Sequence, residues 1–253
     1  MAITEVFPNP TVKQVVFEIK FPNLFYIENK IGDFQVSILE KFPESAVAYR
    51  RLIFGDIGPD AKLEDIPVSE KGNKIWQFIT AGKDVRLSIT NNSLDMVSTS
   101  HKTYNLEGGN KFRELIEFVL TKFYGLVSIP LVNRIGLRYI DECPLPAKET
   151  SVLMSYYNSA FPTRRFSFEA TVDMIFKVVV DKGDHFLSYV ESLKAVDKSY
   201  AIILDFDGYA KNVDSKNCLP MLDKLHESIS QEFENTVKEP VYAYMRQRNE
   251  VTK

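Results

Sequence analysis

Apolar residues recur along this chain with two periods, and the switches between them mark its elements. Val15, Phe17, Ile19 and Phe21 alternate with Gln14, Val16, Glu18 and Lys20, which predicts a strand with one buried face, closed by Pro22 and Asn23. Ile27, Ile31, Phe34, Ile38 and Phe42 then follow helical spacing, and Pro43 helps to end that helix. Strands are predicted over 46–54, 74–80, 85–90 and 94–99. The last three form a meander, with turn chemistry from Ala81 to Asp84 and from Asn91 to Ser93. A helix from about Asn110 buries Phe112, Leu115, Ile116, Val119, Leu120 and Phe123 on a single face.

After Gly125 and Pro130 the period returns to two, and the same order of elements starts again. A strand is predicted over 132–142 and a short helix over 150–160. Strands follow at 164–172, 174–180, 186–191 and 200–207. A last helix over 219–237 carries Leu222, Leu225, His226, Ile229, Phe233 and Val237 on its inner face. Pro220 suits its first turn, and Asp214 and Ser215 are available for capping. The order β-α-β-β-β-β-α thus occurs twice, by pattern and without residue identity. The expected fold is α+β, with similar units over 1–128 and 129–253. Each is an antiparallel sheet packing helices on one face, in a helix-grip or saddle-like arrangement. Residues 55–73, acidic and without a period, are expected to be a flap or to hide a short edge element.

Composition narrows the class. The 253 residues are 45% hydrophobic and 26% charged, which excludes wholesale disorder, and 18 Phe with 12 Tyr give the core much aromatic volume. A net charge of −3, spread evenly about Pro130, argues against bulk binding to nucleic acid or anionic membrane. Two cysteines, Cys143 and Cys218, are too few for a disulfide framework and wrongly spaced for zinc. Neither a signal peptide nor a spanning segment is expected, and the expected location is the cytoplasm.

Strong catalytic signatures are missing: there is no phosphate-binding Gly-Lys-Ser/Thr loop, dinucleotide fingerprint, HExxH or nucleophile elbow. Gly108-Gly109 reads as a helix-entry turn more readily than as an anion site. The strand at 132–142 carries the first candidate. Period two places Arg134, Gly136 and Arg138 on one face, leaving a shallow space between two guanidinium forks that suits a phosphate, a carboxylate or a partner's acidic side chain. The alternative is a pair of structural ion pairs across the sheet, with Asp205 or Asp207 as partners. Those carboxylates alone are too few for a metal site, and neither a metal nor a cofactor is expected. His226, at an apolar helix position, reads as a core histidine more readily than as a ligand or a base. His185 and His226 could join Asp205 and Asp207 in a metal or hydrolytic site, a reading less favoured than ion pairs or turn caps, and His101 brings no constellation.

Three stretches resemble a sporadically distributed prokaryotic protein family of about this length. They are Asn9-Pro10 with residues 15–21, Arg134 to Asp141, and Leu204 to Asp207 with Leu225, His226 and Phe233. Asp141 stands where the family pattern has asparagine, and residues 234–240 depart from its usual helix end. The family has no established activity, so the resemblance implies no mechanism. Its distribution implies mobile or defence-related gene neighbourhoods.

The leading expectation is a non-enzymatic binding or interaction protein, a regulatory component of a prokaryotic stress or defence system, with Arg134, Arg138, Asp205, Asp207 and His226 as binding residues. Its partner is expected to be a protein or a second copy of itself, with a small anionic ligand as a further candidate, and no membrane. One alternative is an enzyme acting on a phosphorylated or nucleotide substrate through an arginine clamp, which requires those groups to face one pocket. The other is a nucleic-acid-binding saddle, which the accompanying carboxylates disfavour.

Overall fold

The structure, a computed structural model, describes residues 5–50, 73–196 and 199–247. The acidic segment at 55–73 lies outside the described residues but for its last position. Nine strands form one antiparallel sheet among the described residues. They are β1 (Val12–Lys20), β2 (Glu44–Arg50), β3 (Asn73–Ile79), β4 (Val85–Ile89), β5 (Ser93–Ser98), β6 (Leu131–Leu145), β7 (Ile175–Asp181), β8 (Phe186–Val196) and β9 (Ser199–Asp214). Their spatial order is β2-β3-β4-β5-β1-β6-β9-β8-β7, so the two strands that open the predicted units lie side by side at the centre.

Alternation fixes which side of each strand meets the core. In β1, Val15, Phe17 and Ile19 are buried. In β6 the same holds for Ile135, Leu137, Tyr139, Asp141 and Cys143, and Phe17 lies opposite Leu137 across the β1–β6 pair. The register continues outward, with Phe17 opposite Met96 of β5 and Tyr139 opposite Phe206 of β9.

The helices bury the faces that their spacing predicts. α1 (Ile31–Ile38) and α2 (Phe112–Tyr124) meet through Phe34 and Phe123, whose rings stand edge to face at 5.6 Å; Phe123 also packs on Phe21 at 5.7 Å. α4 (Cys218–Thr236) buries Leu222, Leu225, Ile229 and Phe233, with Phe233 against Phe206 of β9 at 6.2 Å. Asp214 accepts a hydrogen bond from the Lys216 amide and caps the 3-10 turn that leads into α4. A further helix, α5 (Glu239–Arg246), follows a break at Val237 and carries Pro240 in its first turn, where the missing amide proton has no cost. α3 (Thr150–Tyr156) is joined to the α4–α5 junction by the Lys238 amide donating to the Tyr156 carbonyl. No helix among the described residues is long and apolar enough to cross a membrane.

One predicted strand is corrected. Residues 164–172 form successive turns instead, so β6 to β9 are the only strands after Pro130 among the described residues. Local hydrogen bonds outcompete a sheet here. The Pro162 carbonyl accepts from the Arg165 and Phe166 amides, Ser167 Oγ accepts from the Ala170 amide, and the Thr171 amide donates to the Phe168 carbonyl. Phe168 alone turns inward, edge-on to Phe161 at 5.4 Å, whereas Phe166 is 51% exposed. Glu169 accepts from the Thr150 amide at the start of α3, and that backbone donor pulls its carboxyl down to about 2.

Candidate functional site

The sheet side facing away from α4 carries the predicted arginines. Arg134 reaches Glu18 of β1 on one side and Asp207 of β9 on the other, contacting both Asp207 oxygens at 2.8 and 3.1 Å, with its guanidinium 4.7 Å from the Tyr209 ring. Arg138 grips Asp205 through two nitrogens, Nε at 2.7 Å, and this charge-assisted pairing pushes its own pKa up. The space left by Gly136 is filled: a Cβ there would come within 2.5 Å of Arg134 Nη1. Four of the five predicted binding residues therefore come together, as internal ion pairs.

The fifth does not join them. His226 projects from α4 on the other side of the sheet, 6.1 Å from the Tyr139 ring, and stacks on Tyr104 at 4.3 Å and 14°. Tyr139 and Arg138 are neighbours on β6 and point to opposite faces. The thickness of the sheet separates His226 from the arginines.

His226 lines a half-open cavity of about 100 Å³ where β1, β6, α4 and α5 meet. Its apolar wall includes Phe7, Val12, Phe206, Ile229, Phe233 and Met245. Polar side chains share the lining, and some are in unusual states. Asp141 projects from β6 into the apolar layer, is 2% exposed, and accepts a hydrogen bond from Thr11 Oγ1 at 2.7 Å; burial pushes its carboxyl up to about 7. Tyr139, on the same strand face, buries its hydroxyl without a hydrogen-bond partner among the described residues. Burial pushes His226 down to about 4, so the ring is neutral, with Nε2 3.3 Å from Ser230 Oγ. Lys102 stands at the rim, its ammonium donating to the Val12 and Thr99 carbonyls at 2.7 and 2.8 Å.

Local sequence explains the cavity. The segment before β1 is tied to α5 by the Asn9 amide donating to the Met245 carbonyl, by the pairing of Arg246 with Glu5, and by Phe7 packing on Tyr242. Tyr104 is held by its hydroxyl donating to Asp223 at 2.7 Å, which Arg113 also grips. The sequence reading did not single out Tyr139, Thr11 or Lys102, and it met Asp141 only as a departure from the family pattern. One signal was available: Asp141 occupies a core-facing register of β6, where a carboxylate breaks the alternation.

The remaining sequence candidates have structural surroundings. His101 Nδ1 lies 2.7 Å from Ser98 Oγ, and His185 pairs with Asp184 at 2.8 Å. Gly109 packs against Thr103 in the turn before α2. Among the described residues, no three His, Cys, Asp or Glu side chains converge as metal ligands.

Fold and site together define an α+β protein with a continuous antiparallel sheet and a half-open cavity lined by Tyr139, whose hydroxyl has no partner among the described residues, and by Asp141, whose carboxyl is raised to about 7. The chain matches no protein-family model, and no curated protein is significantly similar to it.

Proposed function

We propose that the protein is a binding module whose ligand site is the Tyr139–Asp141–His226 cavity. One observation carries this reading: Tyr139 lines the cavity, and its hydroxyl is buried with no hydrogen-bond partner among the described residues. A buried donor left unmade costs about 1–3 kcal/mol, and a ligand acceptor removes that cost. The fitting ligand is small, with an apolar body against Phe206, Ile229 and Phe233 and one hydrogen-bonding head toward Tyr139 and Asp141. A regulatory role in a prokaryotic stress or defence system is the setting that the family resemblance suggests.

The duplication belongs to the same proposal. Each opening strand lies beside the closing strand of its own half, β1 by β5 and β6 by β9, which supports two copies of one sheet-and-helix unit meeting at β1–β6. The cavity then sits at the seam, taking Thr11 and Val12 from one copy and Tyr139 and Asp141 from the other. The arginine row contributes architecture, because its charges are already neutralised within the sheet. This weighs against the anion clamp and against a nucleic-acid face.

A second reading, proton-transfer catalysis in the same cavity, is favoured by the opposite displacements of Asp141 and His226, the first raised to about 7 and the second lowered to about 4 by burial. Asp141→Asn separates the two. A binding site keeps its affinity within a few-fold, whereas an enzyme loses turnover while still binding. The binding proposal itself is tested by extracting the protein purified from its native cells and comparing small molecules bound to wild type and to Tyr139→Phe. A compound retained by wild type and lost from the variant supports it; identical extracts from both count against it.

A further inference from the structure

β7 is the last strand of the described sheet, and all seven of its residues are exposed. Its sequence, Ile-Phe-Lys-Val-Val-Val-Asp, is unusually apolar for an edge: Ile175 is 70% and Val179 49% exposed, and Phe176, Val178 and Val180 are also open. Soluble proteins blunt such edges with proline, bulges or dense charge. β7 has no proline, and its pairing with β8 runs unbroken from Ile175↔Ser192 to Asp181↔Phe186. The apolar surface continues into a groove beside the strand's start, lined by Phe161, Phe166, Val172 and Met174.

We infer that β7 pairs antiparallel with β7 of a second copy of this chain, about a two-fold axis at Val179. The charge pattern selects both the partner and the register. Lys177 and Asp181 are the only charged residues of β7; they lie on one face, two positions either side of Val179. Pairing about Val179 sets each Lys177 opposite the other copy's Asp181, and each Val178 opposite the other copy's Val180. Pairing about Val178 instead sets Lys177 against Val179 and Asp181 against Ile175, leaving all four charges opposite apolar residues. An axis perpendicular to the sheet keeps both α4 helices on the same side, joins Phe176, Val178 and Val180 of the two copies into one apolar strip, and closes the assembly as a dimer rather than a fibre.

The test is sedimentation velocity across micromolar concentrations. Wild type is expected to sediment as a concentration-dependent dimer. Lys177→Asp places like charges opposite each other twice and should weaken the dimer roughly tenfold. Adding Asp181→Lys restores complementarity and should recover the affinity to within a few-fold. Asp181 Oδ1 also accepts from the Gly183 amide in the β7–β8 turn, so an independent variant is included. Val179→Cys should form a covalent dimer under mild oxidation, since the self-pair is within disulfide reach and Cys143 and Cys218 are buried. Wild type remaining monomeric, a dimer indifferent to Lys177→Asp, or no cross-link at Val179→Cys would each overturn the inference.

Discussion

Thr11 Oγ1 donates a 2.7 Å hydrogen bond to Asp141 Oδ1 across the junction of β1 and β6, holding a carboxyl group inside the apolar layer of the sheet. A charged carboxylate there has lost most of its hydration, and one hydroxyl does not replace it, so the group keeps its proton to about pH 7.

This arrangement has a signed consequence for stability. An unfolded aspartate titrates near ~3.9, so between that pH and about 7 the folded state binds the extra proton, and the stability contributed by protonated Asp141 is lost as pH rises through the window. His226 has the opposite sign. Its folded value of about 4 lies below the unfolded ~6.5, so its contribution is lost as pH falls from 6.5 toward 4. The two slopes oppose each other in wild type. Relative to wild type, Asp141→Asn should gain Tm as pH rises from about 4 to 7, and His226→Gln should gain Tm as pH falls from about 6.5 to 4. Thermal melts of the three proteins across that range check the crossing; parallel curves would refute the assigned protonation states.

Tyr139→Phe removes a buried hydroxyl that has no partner among the described residues. A hydrogen-bonded tyrosine usually loses about 1 kcal/mol on this change. Here the variant should be as stable as wild type or more stable, by up to about 1–2 kcal/mol, read as the urea midpoint at constant slope. A clear loss of stability would mean that the hydroxyl is satisfied in solution.

Arg134 is the keystone of the charged row, with Glu18 and Asp207 on either side. Arg134→Met leaves two carboxylates facing each other and should cost about 1–3 kcal/mol, whereas Arg138→Met, in a more exposed pair, should cost about 0–1 kcal/mol. Gly136→Ala should behave like Arg134→Met, because the new Cβ displaces the guanidinium. The two should not add: in the Arg134→Met background, Gly136→Ala should be nearly neutral. Additive losses in that double-mutant cycle would show that Gly136 matters for some other reason.

Much of the fold was legible in the sequence because period-two and helical patterns reported true burial. Val15, Phe17, Ile19 and Phe21 all fall on the buried side that alternation assigned them, and the helices bearing Phe123 and Phe233 bury the faces that spacing indicated. Residues 164–172 misled because alternating Phe166 and Phe168 imitate a strand, while Pro162 and Ser167 supply turns that bind their own backbone. α5 escaped notice because Val237 and Pro240 read as an end, although proline fits a first turn equally well. The site was half legible. Cross-strand partners for Arg134 and Arg138 were anticipated as one alternative, since charges on one strand face seek their neighbours. The cavity was not, because it is assembled from Thr11, Lys102, Tyr139, Asp141 and His226, which are far apart in sequence and brought together only when β1 docks beside β6.

The cavity's role is tested most directly by ligand-observed NMR screening of a small-fragment set against wild type and Tyr139→Phe, with amide shifts mapped for the hits. Fragments with an apolar ring and one acceptor should bind wild type, move the resonances of Asp141, His226 and Met245, and weaken about tenfold on the variant. A folded wild-type protein in which no fragment moves those resonances, or in which Tyr139→Phe binds equally well, would contradict the assignment of a ligand site at the centre of the sheet.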